Sequence, residues 1–509
     1  MSTYQHPSIL TGDPHDARLA ANVHPTDWVN PSPAPLYDMV VIGAGTAGLV
    51  SAAGAAGLGA KVALIEKELM GGDCLNVGCV PSKALIHASR LAADARRVAN
   101  LPASAPMQQT GYDFPAIMER LRSIRADISH HDSATRFKQL GVDIFIGQGK
   151  FIDSKTIDAA GNRLRFKRAV IATGARAFIP PIPGLAESKA FTNETIFTLT
   201  SLPEKLVVIG AGPIGCELAQ AFARLGSAVT VVTDGSTILP REDTDASKII
   251  LESMLRDGVN VITNAKITAV KAQGSQSLIQ LTCKGVSEEL STDAVLIAVG
   301  RAPNVDALNL SAAGVEFDLR HGVKVDECLR TTNKKIFAAG DVCSQYKFTH
   351  AADALARIVI QNALFFGRKK ASSLLIPWCT YTAPEVAHVG LTAADAVRGA
   401  GDFQTIHIPM NTVDRAVLDD EGEGFLKVYA DKRKGQILGA TLVGAHAGEI
   451  ISELTVAMAV GVPLGRLGSV IHPYPTQAEI IKRAGDAFNR QRLTPRTAGL
   501  LRFILKLNR

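Results

Sequence analysis

Residues 39–66 read MVVIGAGTAGLVSAAGAAGLGAKVALIE, and they carry the clearest indication of the fold class. An apolar run at 39–42 leads into a glycine turn, and an Ala-rich segment of helical composition follows. A second apolar run then ends in one acidic residue, Glu66. This order of strand, glycine turn, helix and strand is typical of a βαβ unit in a parallel sheet.

The glycines of this turn follow the spacing G-x-G-x-x-G, at Gly43, Gly45 and Gly48. Glycine lets a pyrophosphate approach the backbone at the helix N-terminus, where N–H groups and the helix dipole favour an anion. Glu66 follows about twenty residues later, where a carboxylate can accept hydrogen bonds from ribose hydroxyls. The strand, the turn, the helix and this acid together predict a dinucleotide-binding site.

A second segment, residues 205–233, repeats the theme as KLVVIGAGPIGCELAQAFARLGSAVTVVT. Its glycines are Gly210, Gly212 and Gly215. Thr233 occupies the position of the ribose-binding acid, where a glutamate would favour NADH and a pair of arginines would favour NADPH. Arg241 lies a little late in the chain to replace that pair. A second dinucleotide site is therefore predicted, and the choice between NADH and NADPH stays open.

Three further apolar runs end in small residues and read as buried strand ends, at 170–175, 294–304 and 335–342. Prolines at 180–183 mark a crossover between domains, and apolar and polar residues alternate from 377 onward. We predict an α/β protein with two Rossmann-like three-layer domains, the first split around the second, plus a C-terminal α+β domain. The predicted segments are an N-terminal extension (1–36), the first dinucleotide domain (37–185 and 306–372), the second dinucleotide domain (186–305), the α+β domain (373–490) and a basic tail (491–509).

The composition narrows the class of protein. Of 509 residues, 47% are hydrophobic and 20% are charged, which is typical of a well-packed globular chain. The net charge of +6 is not gathered into long basic runs, which argues against a nucleic-acid partner. Seven cysteines are too few for a disulfide scaffold and residues 1–35 are polar, so we expect the cytoplasm. Residues 494–509 are basic and partly amphipathic, and we expect a packed terminal helix rather than membrane contact.

The motif that carries chemistry is GGDCLNVGCVPSK at 71–83. Cys74 and Cys79 are close enough to form a disulfide, although their spacing is wider than a thioredoxin-type C-x-x-C. Pro81 and the residues after it predict a helix just after Cys79, whose N-terminus would lower the pKa of that thiol. A thiolate so placed can donate electrons to a flavin. Zinc is disfavoured, because no second C-x-x-C or nearby histidine completes a tetrahedral set.

These motifs resemble those of the class I pyridine nucleotide–disulfide oxidoreductases, the family of glutathione reductase, dihydrolipoamide dehydrogenase and mercuric reductase. The resemblance covers residues 38–488 and implies a homodimer. It implies that the first glycine unit binds FAD and the second binds NADH or NADPH. It also implies that Cys74 meets the substrate and that Cys79 lies against the flavin ring.

The same resemblance assigns roles to residues in four other motifs. It implies that Lys83 lies beside the flavin and pairs with Glu217, in the GPIGCE sequence of the second glycine turn. Asp341 in AAGDV matches an aspartate that binds the ribityl chain of FAD, and Arg301 in VGRAPN matches a residue near the nicotinamide nucleotide. The remaining dinucleotide contacts are assigned to Lys67, Gly72, Thr173 and Gly174.

One segment departs from the members that reduce disulfides. In those members the second subunit supplies a histidine base from the pattern H-P-T-x-x-E, whereas residues 472–479 read HPYPTQAE. Tyr474 therefore takes the histidine position, and Glu479 is retained. A tyrosine with a pKa of about 10 cannot accept a proton at neutral pH, so disulfide exchange loses its base. His472 is the alternative base, although packing near the dimer interface is favoured for it.

Mercuric reductases resemble this chain at the same point, because they also carry tyrosine there. Reduction of a thiolate-bound metal ion needs soft sulfur ligands and two electrons but no proton shuttle. We therefore predict reduction of Hg²⁺ held transiently by Cys74 and Cys79. The sequence lacks the cysteine-containing leading domain and the closing cysteine pair of that branch, which argues against efficient reduction. Two alternatives stay open: a disulfide reductase, and a flavoprotein that senses redox state or serves a membrane electron chain.

Overall fold

The computed structural model describes residues 9–99, 112–188, 190–274, 276–399, 402–493 and 495–508. The α-helices in these ranges are α1 (Pro14–Val23), α2 (Thr46–Gly57), α3 (Gly72–Asn76), α4 (Cys79–Ala99), α5 (Phe114–Ile128), α6 (Ala134–Gln139), α7 (Pro213–Leu225), α8 (Thr244–Arg256), α9 (Thr349–Leu364), α10 (Ala393–Gly399), α11 (Asp414–Leu418), α12 (Ala447–Ala459), α13 (Leu464–Leu467), α14 (Glu479–Gln491) and α15 (Pro495–Leu507). None of the helices in the described ranges combines the length and the apolar character that a membrane crossing needs.

The strands in the same ranges form several sheets. They are β1 (Tyr37–Ile42), β2 (Val62–Glu66), β3 (Val142–Ile146), β4 (Gly149–Asp153), β5 (Thr156–Ala159), β6 (Asn162–Ile171), β7 (Ala175–Ala177), β8 (Lys205–Ile209), β9 (Ala228–Val232), β10 (Asn260–Ile262), β11 (Ala265–Gln273), β12 (Gln276–Cys283), β13 (Val286–Thr292), β14 (Ala294–Ile297), β15 (Arg301–Pro303), β16 (Phe317–Asp318), β17 (Gly322–Val323), β18 (Ile336–Ala338), β19 (Trp378–Thr380), β20 (Glu385–Gly390), β21 (Phe403–Pro409), β22 (Phe425–Asp431) and β23 (Ile437–Gly444).

The first sheet is built around β1. On one side β1 pairs in parallel with β2, and β2 pairs with β3; on the other side β1 pairs with β6. The strands β5 and β4 continue this sheet as an antiparallel extension. Helices α2 and α9 contribute to one buried cluster and β4–β6 contribute to another. Because both faces of β1 and β2 are covered, burial along the two strands is almost continuous rather than alternating.

The second dinucleotide domain interrupts the first. Its parallel sheet has the order β10-β9-β8-β14, and a three-stranded antiparallel sheet, β11-β12-β13, lies within the same stretch of chain. After it the chain returns to the first sheet, where β18 pairs with β6 and Phe337 lies opposite Val170. The predicted fold class, with one Rossmann-like domain split around the other, is confirmed.

The remaining sheet is antiparallel, with the order β19-β20-β23-β22-β21. Residues of α12 and α14 pack with it in one apolar cluster. By its contacts this part groups with Thr237–Asp257, so that Thr237–Asp257 and Leu375 onward form one compact unit. The hydroxyl of Ser253 on α8, for example, donates to the carbonyl of Ala383 at 2.6 Å. The other unit contains both dinucleotide sheets.

Candidate active site

The first glycine turn, between β1 and α2, leaves no room for a side chain at two of its three glycines, Gly43 and Gly48. Gly43 has a φ of +99°, and a Cβ built on it would lie 2.5 Å from the carbonyl oxygen of Ala172. A Cβ on Gly48 would lie 1.7 Å from the carbonyl oxygen of Gly43. Gly45 is the N-cap of α2. Because glycine has no side chain, it makes no capping hydrogen bond to the first N–H groups of the helix. This cradle fits the pyrophosphate of a dinucleotide.

Glu66 ends β2 beside this turn and is buried. Its carboxylate accepts the N–H groups of Ala44 at 2.6 Å and Glu68 at 2.8 Å, and burial raises its pKa. A cavity of about 370 Å³ opens next to it. The cavity is lined by the predicted residues Gly43, Glu66, Lys67 and Thr173 and by the unpredicted Arg176 and Asp306. Its place beside the turn fits the ribose end of the first dinucleotide.

The cysteine motif approaches the same turn. Gly72, which begins α3, has a φ of +58°, and a Cβ on it would lie 2.6 Å from the Cα of Gly45. Gly174, at a φ of +67°, follows β6 and has open space where a Cβ would be. The structure therefore brings the loop that carries Cys74 against the first glycine turn.

The second glycine turn, between β8 and α7, is built in the same way. Gly210 has a φ of +106°, and a Cβ on Gly215 would lie 2.1 Å from the Gly210 carbonyl oxygen. A Cβ on Gly212 would meet no described atom within 4 Å, so the backbone there is open to a ligand. Thr233 directly follows β9 and offers a hydroxyl where many dinucleotide domains offer a carboxylate.

Cys74 lies in α3 and Cys79 begins α4. The Cys74 thiol donates a hydrogen bond to the Cys79 sulfur, and the Thr349 hydroxyl lies 3.5 Å from the same sulfur. The hydrogen bond from Cys74 lowers the pKa of Cys79 to about 6, and Thr349 and the Lys83 ammonium act in the same direction. The pKa of Cys74 is raised by this bond and by burial. The pair therefore holds one thiolate and one thiol at neutral pH.

Lys83 and Glu217 form the ion pair that the resemblance implies. The Lys83 Nζ lies 2.7 Å from Oε2 of Glu217, whose side chain on α7 is 7% exposed. Lys83 is one helical turn beyond Cys79 on α4. The pair thus fixes a positive charge on the same helix as the thiolate, while the Glu217 carboxylate itself raises the pKa of Cys79.

The charges of Lys83 and Glu217 shift the pKa of Cys79 in opposite directions, so their removal should have opposite effects. In the reduced protein we expect thiolate absorbance in the ultraviolet to rise through an apparent pKa of about 6, a value that belongs to the coupled pair. Below that pH the thiolate is protonated, because even a lowered pKa keeps the sulfur ionised only at pH values above it. Lys83→Met should move the midpoint upward and Glu217→Gln should move it downward. Shifts in the same direction for both variants would contradict this electrostatic account.

A support of the cysteine loop comes from the N-terminal extension, which sequence reasoning missed. Helix α1 packs against α5, and the buried Asp16 on α1 forms an ion pair with Arg125 on α5. Arg125 also donates to the carbonyl of Asn76 at 2.9 Å. Asn76 lies between the two cysteines, and its amide donates to the carbonyls of Met70 at 3.1 Å and Gly72 at 2.9 Å. The extension therefore holds the loop of the cysteine motif in place.

We expect Arg125→Met to lower the free energy of unfolding by about 3–5 kcal/mol, because it leaves a buried carboxylate without its cation. Urea denaturation of the FAD-loaded protein measures this loss. The matched control is Arg18→Met on α1, whose ion pair with Asp127 of α5 is exposed and should contribute less than about 1 kcal/mol. Equal stability of the two variants would show that the Asp16 ion pair does not hold α1.

Arg301 lies on β15 and is largely buried. Its guanidinium contacts the carboxylate of Asp73, the neighbour of Cys74, and its Nε lies 3.7 Å from Oδ2 of Asp341. Burial lowers the pKa of Arg301 and raises that of Asp341. The structure thus joins the residue assigned to the nicotinamide nucleotide with the residue assigned to the ribityl chain. Both roles stay predictions.

Tyr474 lies in the unit that contains the antiparallel sheet, and its side chain is exposed. Its hydroxyl donates to Oδ2 of Asp414 at 3.0 Å, and this hydrogen bond raises the tyrosine pKa. Glu479 accepts Arg483 at 3.1 Å, and Arg483 also reaches Asp414 at 3.4 Å. Asp414, 60 residues away in the chain, had no signal in the sequence. The phenol therefore stays protonated and acts as a hydrogen-bond donor.

His472 occupies a different environment in the same unit. Its Nε2 lies 3.1 Å from the Glu453 carboxylate, its Nδ1 lies 3.2 Å from the carbonyl oxygen of Val470, and its side chain is 6% exposed. Both ring nitrogens thus face acceptors. Neither is open to accept a proton from a substrate.

The fold and the site define a class of protein, one with two dinucleotide-binding turns and a pair of contacting cysteines at the first of them. The family described as pyridine nucleotide-disulphide oxidoreductase matches residues 37–356, and its dimerisation domain matches residues 376–485. The chain belongs to this family. It is accordingly a flavoprotein that contains FAD and uses NAD(P)H, and its dimerisation domain supports a homodimer.

The curated relatives of this chain include proteins with two different named activities. A mercuric reductase of Bacillus cereus is 34% identical over 89% of this chain and 72% of its own length. A dihydrolipoyl dehydrogenase of Bacillus subtilis is 34% identical over 88% of this chain and 96% of its own length. Among solved structures, the HOCl-induced flavoprotein disulfide reductase RclA of Escherichia coli is 29% identical, with a TM-score of 0.78 over 89% of this chain and 99% of that one.

Proposed function

We propose that this flavoenzyme passes electrons from NAD(P)H to a soft metal ion held by Cys74 and Cys79, with mercuric ion as the first candidate. The observation that carries the proposal is Tyr474, a protonated phenol where disulfide-reducing members of the family place a histidine base. We place Tyr474 and Glu479 of one subunit at the acceptor site of the other, as the resemblance implies.

The overall reaction balances without a proton acceptor on the enzyme. It is NAD(P)H + Hg²⁺ → NAD(P)⁺ + H⁺ + Hg⁰, in which two electrons reduce the metal. Bound FAD supplies the chemistry that accepts hydride from the nicotinamide and delivers two electrons to the cysteine side. A disulfide substrate, in contrast, must gain protons on its two sulfurs, and for that step the family uses the histidine that this chain lacks.

The cysteine pair suits a soft cation. Thiolate sulfur is the ligand that soft metal ions prefer, and Cys79 already holds a thiolate at neutral pH. Binding of the metal by Cys74 releases its proton, which the raised pKa otherwise retains. Lys83 compensates part of the negative charge of the cysteine pair, and Glu217 holds Lys83 in position.

The names of similar proteins support a metal acceptor. Several relatives at 32–34% identity are mercuric reductases. One solved structure of RclA is described as its Cu(II) complex. Cupric ion is therefore the second metal to test, with the balance NAD(P)H + 2 Cu²⁺ → NAD(P)⁺ + H⁺ + 2 Cu⁺.

The second candidate is a disulfide reductase of the dihydrolipoyl type, which the 34% identical Bacillus subtilis relative favours. For this function His472 would have to replace the missing base. Its two nitrogens are engaged with Glu453 and Val470, which argues against that role.

The test compares acceptors with both nicotinamides. Oxidation of NADH and of NADPH is measured with mercuric ion, cupric ion, lipoamide, oxidised glutathione or a quinone, the metals in excess thiol. Metal-dependent turnover that is lost in Cys74→Ala supports the proposal. Faster turnover with lipoamide or glutathione would overturn it, as would metal-dependent turnover that survives in Cys74→Ala. Flavin reduction without turnover of any acceptor would overturn it in favour of a redox sensor.

Tyr474→His should create the missing base. We expect at least a tenfold gain in lipoamide or glutathione turnover, because general-base catalysis contributes about 10²–10⁴-fold. Metal-dependent turnover should change less, since reduction of the metal ion adds no proton to a substrate sulfur. Tyr474→Phe is the control, because it removes the hydroxyl without adding a base. An equal gain in the histidine and phenylalanine variants would contradict this reading of Tyr474.

A further inference from the structure

Helix α15 has an apolar face that is exposed to solvent. Every described side chain from Leu500 to Asn508 is exposed, including Phe503 at 59%, Leu505 at 63% and Leu507 at 69%. The sequence predicts a packed terminal helix here, and the structure instead leaves this helix uncovered. Within a single chain, the packing interpretation therefore fails for residues 500–508.

The apolar side chains of α15 share one side of the helix. Leu500, Phe503, Ile504 and Leu507 have the spacing i, i+3, i+4, i+7, which places them in one stripe. Leu501 and Leu505 widen that stripe. A stripe of large apolar side chains of this length in water is unfavourable and indicates a binding surface.

The opposite side of α15 is basic. Arg502 and Lys506 are spaced i and i+4, so they lie on one face away from the apolar stripe. Residues 487–509 contain six basic residues and no acidic residue, namely Arg490, Arg492, Arg496, Arg502, Lys506 and Arg509. This segment alone equals the formal net charge of +6 for the whole chain, so residues 1–486 are neutral overall. The positive charge is concentrated where the apolar stripe is exposed.

We propose that α15 lies in the headgroup region of a bilayer that contains anionic phospholipid and docks the enzyme on that surface. An apolar stripe inserts toward the acyl chains while basic side chains remain among anionic headgroups, which is how interfacial amphipathic helices bind. Charge complementarity selects this occupant, because the adjoining segment carries only positive charge. A second copy of the same helix would bring like charges together.

The experiment is co-sedimentation of the full-length, FAD-loaded chain with vesicles. One set is phosphatidylcholine alone and the other contains phosphatidylglycerol as well. We expect binding to the anionic vesicles that weakens as salt is added, since the attraction is screened. R502Q/K506Q should lower the vesicle affinity about 25-fold, because each basic residue near the surface contributes about fivefold. F503S/I504S should abolish binding.

The matched control is R433Q/K434Q, which removes the same charge from an exposed turn of the same unit and should change the affinity less than twofold. Acceptor turnover in solution and FAD content should be unchanged in all three variants, because none of these residues belongs to the site described above. Equal binding to both vesicle types, or equal loss in R433Q/K434Q, would overturn the proposal. A smaller assembly for F503S/I504S than for the parent in light scattering would also overturn it, because the apolar stripe would then join two copies of the chain.

Discussion

Replacing Cys74 with serine is expected to lower acceptor-dependent turnover on the order of 10³-fold or more, because the substituted sulfur is one of two groups that act as a unit. The variant keeps a hydroxyl of similar size, so the loop should keep its fold. It cannot form a thiolate or a disulfide with Cys79. Cys79→Ser should have an effect of the same order, since the Cys74 thiol then lacks the thiolate to which it donates.

The measurement separates the two halves of the reaction. Rapid mixing with NADH or NADPH should still reduce the bound flavin in both serine variants, whereas steady-state turnover with an acceptor should be lost. Cys283→Ser is the matched control. This half-buried thiol lies on β12, and its one described hydrogen bond is to the Thr263 carbonyl at 3.6 Å. Turnover that survives in Cys74→Ser would remove the cysteine pair from the mechanism.

The second large effect is expected for Gly48→Ala. The new Cβ would lie 1.7 Å from the carbonyl oxygen of Gly43, a backbone atom that cannot rotate away. Helix α2 would have to move off the turn, and overpacking of this kind costs about 3 kcal/mol or more. Because the same turn forms the cradle for the pyrophosphate, we expect protein that is poorly folded and retains little FAD.

Gly57→Ala provides the comparison within the same helix. Gly57 is the last residue of α2, and a Cβ on it would meet no described atom within 4 Å. Alanine is the better helix former by about 1 kcal/mol, so this variant should be as stable as the parent or slightly more stable. Thermal unfolding and the ratio of flavin to protein absorbance check both variants. Gly48→Ala with normal FAD content and an unchanged melting temperature would disprove the cradle.

The sequence predicted those parts of the site that lie within single motifs. Gly43 and Gly48 are separated by four residues, so the turn that they form is encoded locally. The contact between Lys83 and Glu217 could be predicted although it joins α4 to α7, because each residue belongs to a motif that the family resemblance assigns. Cys74 and Cys79 are likewise within one short loop. In each case a local motif or the family resemblance indicated which residues lie close together.

Contacts between residues outside motifs could not be predicted. Asp16 and Arg125 are 109 residues apart, and nothing in the polar extension indicates that its aspartate is buried. Asp13 followed by Pro14 is a helix-start signal that could have located α1, but such a signal gives no partner. The hydrogen bond from Tyr474 to Asp414 could not be predicted for the same reason, because no motif contains Asp414. A buried ion pair depends on the completed fold, which composition and periodicity do not describe.

The return of the chain to the first sheet has a consequence for synthesis. Strand β18 pairs with β6 only after all of β8 to β14 has been translated, and the Asp341 loop follows β18 directly. On the ribosome, the nested domain therefore has its complete sheet before the enclosing domain does. Once Ile297 has left the ribosome, every strand of the nested parallel sheet is available, whereas the first sheet still lacks β18. A flavin site that includes the Asp341 loop, as we predict, can therefore be completed only after the nested domain has been synthesised.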